Sequence, residues 1–517
     1  STLTGAVVAS VLSSAVGASL TIANSTLNAT RYAASVVGAT IRDVVVVVAD
    51  SCLTLAGGHN VGVVALAAVS VTNAAVNVTA SSITCTAGNS VGVLGAGSSG
   101  IVSWTNVTVS AAFANVTSTA GTYVGVLGSG SYGGVTWTNV TVSAALSTIT
   151  SIASDRVGVL GAGSYGSVSW TNVNVSAALA NVTSTAGDSV GVLGAGSGTD
   201  TVSWTNVTVS AALAYVVSTA GGAVGVLGAG SNSDVSWTNV AASAALATIT
   251  STAEAAVGVL GAGSGDEVGW TNVTISAMLA NVTSTAGERT GILGAGSLGS
   301  AAWTNVTVSA TLANVTSTAG NYVGVLGAGS NSGTTWTNVT VSAALANVTS
   351  TATGSAVGVL GAGSNDGTVT WTNVTVSAAL ANIKSTAGNY VGVLGAGSNG
   401  AVTWTNVTVS AALANVTSTA GNGVGVLGAG SNGGVTWTNV TVSAALANAT
   451  STATGAVGVL GAGSTHGAVT WANVTVSAVL ANVTSTAGNG VGVLGAGSDS
   501  GVTWTNVTVS AALANVT

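Results

Sequence analysis

The chain has 517 residues, 74 of them Gly, with 13 Trp, no Pro, 3% charged residues and a net charge of −7. Five Lys and Arg in all leave no phosphate-binding face, so nucleic acid is a poor partner. No run of about 18 uninterrupted apolar residues occurs, which argues against a membrane span, and so little charge suits only a chain whose regular backbone network satisfies its polar groups while something else solvates its surface.

The stretch from Gly5 to Ile22 is apolar but studded with Ser and Gly, and reads as strands rather than as a targeting remnant. Residues 1–90 read as degenerate coils, with units near Val7, Val37 and Val61 spaced by 30, 24 and 30 residues. This part holds the two cysteines, Cys52 and Cys85. Aligned on the Ala-Gly that follows each, they fall two positions apart in adjacent coils, which suits either a disulfide stapling two coils or a pair of buried free thiols. The disulfide is the favoured expectation.

From residue 91 the chain is periodic. Val-Gly-Val-Leu-Gly-Ala-Gly or a close variant begins at Val91, Val124, Val157, Val190, Val224, Val257, Thr290, Val323, Val357, Val391, Val424, Val457 and Val491, in steps of 33 or 34 residues. Residues 91–517 are thus thirteen regular repeats, the last incomplete. A helical solenoid of this period needs Leu, Lys and Glu at 3.6-residue spacing. Here Thr405, Val407 and Val409 alternate, β-branched residues dominate and Gly marks the corners, a strand pattern. Val91 to Gly95, Val102 to Ser110 and a stretch around Asn115 to Thr119 are the expected strands. Ala-Ala-Leu, as at Ala411 to Leu413, marks a bend that wants an apolar side chain, since Phe113 replaces Leu in the first regular unit. The expected fold is all-β: a right-handed parallel β-helix, or β-solenoid, of about 33 residues per coil and about sixteen coils, stacked ~4.8 Å apart.

Inserted residues and nearly all charges of the array fall in two turns, expected to be exposed loops. Asp155, Arg156, Asp188, Glu254, Glu288 and Arg289 occupy the first turn. Asp200, Asp234, Asp266, Glu267, Asp366, Asp499 and His466 occupy the second, and Lys384 lies outside both.

Asn-x-Ser/Thr occurs twenty-four times. One class follows Trp: Asn106, Asn139, Asn206, Asn272, Asn305, Asn338, Asn373, Asn406, Asn439, Asn473 and Asn506. A second lies nine residues further on: Asn115, Asn181, Asn281, Asn314, Asn347, Asn415, Asn448, Asn482 and Asn515. Asn24, Asn28, Asn77 and Asn174 complete the set. Each is a candidate N-glycosylation acceptor, and sugars would solve the solubility problem. Against this, Asn172, Asn239 and Asn382 keep Asn without the downstream Thr, as Asn side chains bonded to one another up a stacked ladder would.

Trp104, Trp137, Trp170, Trp204, Trp237, Trp270, Trp303, Trp336, Trp371, Trp404, Trp437, Trp471 and Trp504 keep one phase in the repeat. On a straight strand Trp104 shares a face with Asn106 and opposes Val107 and Val109. The indoles are therefore expected outside, stacked on sugars or on a neighbouring filament, unless a local bend turns them inward as a core ladder.

Catalysis is not expected. No carboxylate recurs on a strand face, His59 and His466 are far apart in the repeat, and the turns lack the Asp per turn of calcium-binding rolls. No cofactor or metal is expected either. The chain ends Ala514-Asn515-Val516-Thr517 and begins Ser1-Thr2-Leu3-Thr4-Gly5-Ala6-Val7, which resembles Ser451 to Val457. Head-to-tail stacking of subunits follows if these are true ends; a window on a longer chain gives the same match.

The unit VTWTNVTVSAALANVTSTAGNGVGVLGAGSNGG resembles the coils of right-handed parallel β-helix surface proteins, over roughly Val61 to Thr517. With its sequons and scarce charge, the chain is more similar to a protist surface or flagellar-hair (mastigoneme) glycoprotein than to a bacterial passenger domain. That resemblance implies an extracellular, glycosylated filament or surface-coat subunit. A cell-surface adhesin and an ice-binding solenoid, the latter built on the in-phase Thr117 and Thr119, are the alternatives.

Overall fold

The computed structural model describes residues 2–7, 10–16, 19–23, 26–32, 35–57, 70–88, 90–98, 100–354, 356–486 and 490–517. Asn24, His59 and Val61 lie outside the described residues. The fold is an all-β parallel β-solenoid with about 33 residues per turn and about fourteen turns, rather than sixteen. Two compact units, Ser1–Val259 and Leu260–Thr517, are described separately below.

In the second unit the turn that begins at Val402 illustrates the rule. Its long strand Val402–Ala412 is followed by Asn415–Ala420 and by two short strands, Val424–Gly425 and Ala429–Ser431. Each pairs in parallel, residue for residue, with its equivalent in the next turn: Val402 with Val435, Trp404 with Trp437, Asn415 with Asn448. Identical side chains therefore form columns up the sheets.

The long strand is not straight. Asn406 adopts a left-handed conformation at φ 55°, which Asn tolerates better than most residues. One residue is consumed in that bend and the side-chain alternation slips by one. Val402 and Trp404 point inward before the bend, and Val407, Val409 and Ala411 point inward after it. Leu413, at φ 51°, makes a second left-handed bend, beyond which Ala414, Val416, Ser418 and Ala420 face the core.

The Gly-rich phrase, expected as one strand, is two strands pressed backbone to backbone. A Cβ on Gly425 would stand 2.2 Å from the carbonyl oxygen of Ala396, and one on Gly428 would stand 1.9 Å from that of Gly461. Only Gly permits this approach. Ser398 then ties one turn to the last by donating its Oγ–H to the Gly367 carbonyl at 2.8 Å.

In the first unit, residues 90–259 repeat the same turn. The coils before them are shorter. Thr2 pairs with Thr26, Thr26 with Cys52 and Cys52 with Ser82, steps of 24, 26 and 30 residues. Here Ser10–Val16 and Ser19–Ala23 both pair along the single strand Ser35–Ala49, which pairs in turn with Ser70–Thr79.

Candidate functional faces

The indoles are inside. Twelve of them, Trp104 through Trp471, are 0–1% exposed, while Trp504 in the last turn is 49% exposed. The expectation of an outward Trp column is thus corrected, and the αL bend at each following Asn is the cause. Within the first unit Trp104, Trp137, Trp170, Trp204 and Trp237 stack at centroid spacings of 4.8–4.9 Å. Within the second unit, Trp270 through Trp471 stack at 4.7–4.8 Å. The sheet spacing and the parallel-ring spacing coincide, so one repeat distance serves both backbone and core.

The Asn residues that follow Trp form ladders. Asn406 donates its Nδ2–H to Oδ1 of Asn373 at 3.0 Å, and Asn439 donates likewise to Asn406. In the first unit the same ladder runs through Asn73, Asn106, Asn139, Asn172 and Asn206 at 2.9–3.0 Å. It reaches Asp43, to which Asn73 donates at 2.8 Å. Asn73, Asn172 and Asn239 have no downstream Thr, yet they hold the same left-handed φ, 52–54°, as the sequon members. The bend and the ladder, not the sequon, explain why Asn stands here.

The second class is less constrained. Asn415 and its equivalents project from the start of a regular strand and are exposed, and Thr148, Tyr215 and Thr248 replace Asn in three turns. Ladder bonds join only some neighbours, such as Asn448 to Asn415 at 2.9 Å. Thr417 and Thr419 follow on the same outward face. Of the remaining candidates, Asn174 is exposed, Asn77 accepts a hydrogen bond from Ser110 Oγ at 2.6 Å, and Asn28 lies in the strand Thr26–Tyr32.

The expected disulfide is not formed. Cys52 pairs with Ser82 and Cys85 with Leu55, an offset of three residues rather than two. An odd offset puts the two side chains on opposite faces. Cys52 is exposed and Cys85 is buried, both as free thiols. Burial pushes the Cys85 thiol far above its ordinary range.

Arg156, expected in an exposed loop, is 6% exposed. Its guanidinium donates to Asp188 at 2.8 Å and lies 4.8–5.7 Å from the ring centroids of Tyr123, Tyr132 and Tyr165. Tyr132 and Tyr165 stack on each other at 5.0 Å. Three rings and a carboxylate from successive turns thus close over one cation.

The expected bend at Ala-Ala-Leu is present, with the Leu itself at its left-handed corner and facing outward. In the first unit Phe113, Leu146, Leu179, Leu213 and Leu246 are 48–63% exposed. In the second unit Leu279 through Leu480 are 48–55% exposed, all at φ near 50°. Asp50 and Ala80 make the same bend in the earlier coils, at φ 47°.

Among the described residues, no group of three or more His, Cys, Asp and Glu is placed to hold a metal ion. No helix among them is long and apolar enough to cross a membrane. Compared with protein-family models, with curated proteins and with solved structures, the chain matches none.

Proposed function

We propose that this chain is a non-catalytic structural subunit of an extracellular, glycosylated filament or surface coat, in which the coiled backbone itself is the working part. The observation that carries this reading is the residue-for-residue pairing of turn on turn, exemplified by Val402–Ala412 on Val435–Ala445. Most side-chain columns repeat, so each turn presents nearly the same surface as the next, as a scaffold requires and a unique binding pocket does not. The coil is right-handed in this proposal, following the strong preference of parallel strand connections for that hand.

N-glycans belong on the Asn415 class in this reading. Its members are exposed and only partly tied into ladders, whereas each ladder-bonded Asn of the Asn406 class commits an Nδ2–H to its neighbour. A sugar on every turn would also be crowded at the ~4.8 Å coil spacing. Amidase release in heavy-oxygen water followed by peptide mass spectrometry tests this: label on the Asn415 class at several turns is expected. A chain from its native source carrying no label at any sequon overturns the glycoprotein reading.

Head-to-tail assembly is part of this reading because every coil takes its neighbour in the same parallel register, as Val435–Ala445 takes Val469–Val479, so a further coil from a second copy would dock by the same pairing. Negative-stain images of the native material test it: continuous fibres are expected, and isolated short particles overturn it.

A second reading has one observation in its favour. Thr417 and Thr419 stand two residues apart on an outward face, about 6.7 Å along the strand, and repeat up the sheet with Thr450 and Thr452. Such a regular hydroxyl array suits ice binding, and thermal hysteresis measured on sugar-free protein decides it.

A further inference from the structure

Bend residues in a coil are ordinarily chosen for the bend. At the first left-handed corner this chain places Asn in turn after turn, as conformational preference dictates. At the second it places Leu, a side chain with no preference for that conformation, and leaves it half exposed. Asp50 and Ala80 take the same corner in the earlier coils, so neither the bend nor the core demands Leu. Two unfavourable choices, repeated in every turn from Leu146 onward, need an explanation outside the coil.

The column before the ridge reinforces it. That position is Ala in most turns and Thr311 in one, while Met278 and Val479 stand there at 48% and 42% exposure. Ridge residues and their immediate neighbours in the second unit, from Met278-Leu279-Ala280 to Ala512-Leu513-Ala514, carry no charge. The result is an apolar ridge with one Leu per turn, flanked on its far side by the Asn415 column.

We propose that this ridge is a lateral contact surface and that its occupant is the ridge of a second copy of this chain. The eight leucines of the second unit alone present on the order of 500 Å² of apolar surface, and their flanking columns bring this towards the ~800 Å² per partner of a stable interface. A like chain also matches the 4.8 Å rise set by the stacked turns, so each Leu meets the same neighbourhood along the whole contact. A lipid surface fits less well, because one Lys alone, Lys384, stands near the ridge, beyond the flanking Asn column, and no row of cations is there to meet headgroups. This contact is distinct from end-to-end stacking and does not rest on it.

The test uses the full chain and the variant Leu380→Asn/Leu413→Asn/Leu446→Asn. Asn is favoured at this φ, so the fold is expected to survive, as judged by circular dichroism. Sedimentation velocity over a concentration series should show paired particles for the unaltered chain, and at least a tenfold weaker pairing for the variant. Should the Asn variant misfold, Leu380→Ala/Leu413→Ala/Leu446→Ala, copying Ala80, gives the same reading. Unaltered chain that stays single at every concentration overturns the proposal, as does pairing that survives the substitutions. Capture of the unaltered chain, but not the variant, on neutral phosphatidylcholine vesicles would reassign the ridge to lipid. The substitutions leave both coil ends intact, so end-to-end fibres that persist at half the width would sink neither reading.

Discussion

Asn406 is asked to do two things: bend the strand and bond to the Asn above and below. The substitutions Asn406→Gly and Asn406→Ala separate them. Glycine keeps the bend and loses the ladder, costing about 1 kcal/mol. Alanine also pays for its left-handed backbone, bringing the loss to about 2–3 kcal/mol. Urea midpoints should therefore rank native above Asn406→Gly above Asn406→Ala, and equal midpoints would deny the bend its role. The inward Ser column behaves in the opposite sense. Ser418 is fully buried and its hydroxyl has no hydrogen-bond partner. Removing an unpaired buried hydroxyl relieves its desolvation cost, so Ser418→Ala should hold or raise the midpoint, by up to about 1 kcal/mol. The cysteines give a third test. Because burial disfavours the thiolate of Cys85, raising pH to 9 should leave it unalkylated in the folded chain, while Cys52 reacts at once. One label per native chain and two per denatured chain is the expected mass.

At the level of strands, much was legible. The Thr-x-Val alternation of 402–412 and the 33-residue period announce stacked parallel strands directly, because both are backbone periodicities. What misled was a phase change inside one strand. Trp404 and Val407 are three residues apart, an odd separation that forbids a shared face on a straight strand, yet both are buried. The clue in the sequence is the Asn itself, as at Asn106, which favours a left-handed bend as well as marking a sequon. The split of the Gly-rich phrase was hidden for another reason: it depends on contact with a different turn, which no local pattern encodes. That contact is severe. Gly425→Ala would drive a methyl group into the Ala396 backbone, where no side chain can yield. Loss of several kcal/mol is expected, seen as a collapse of the strand signal in circular dichroism well below the native melting temperature.

For the chain as a whole, each turn of the array contacts chiefly the turns on either side, so stability is a sum of turns and of the junctions between them. Removal of residues 391–423, one complete 33-residue unit, should leave a folded protein with native-like circular dichroism and only a small change in midpoint. Removal of 391–407 cuts a unit in half and should abolish cooperative unfolding. Equal tolerance of the two deletions would contradict the coil-on-coil arrangement.

Interchangeable turns also create an ambiguity that a varied sequence avoids. A folding chain that skips one unit recovers nearly every contact it would have made, since the neighbour it finds is almost a duplicate of the one it missed. The cluster around Arg156 is not duplicated: Arg289 holds the same place in its own turn but pairs with Glu288. The Arg156 cation is satisfied only where Tyr123, Tyr132, Tyr165 and Asp188 arrive in their proper succession. A slipped zipper would strand that charge away from water. The cluster thus acts as a key tooth among identical teeth, fixing the count from which the turns around it are numbered.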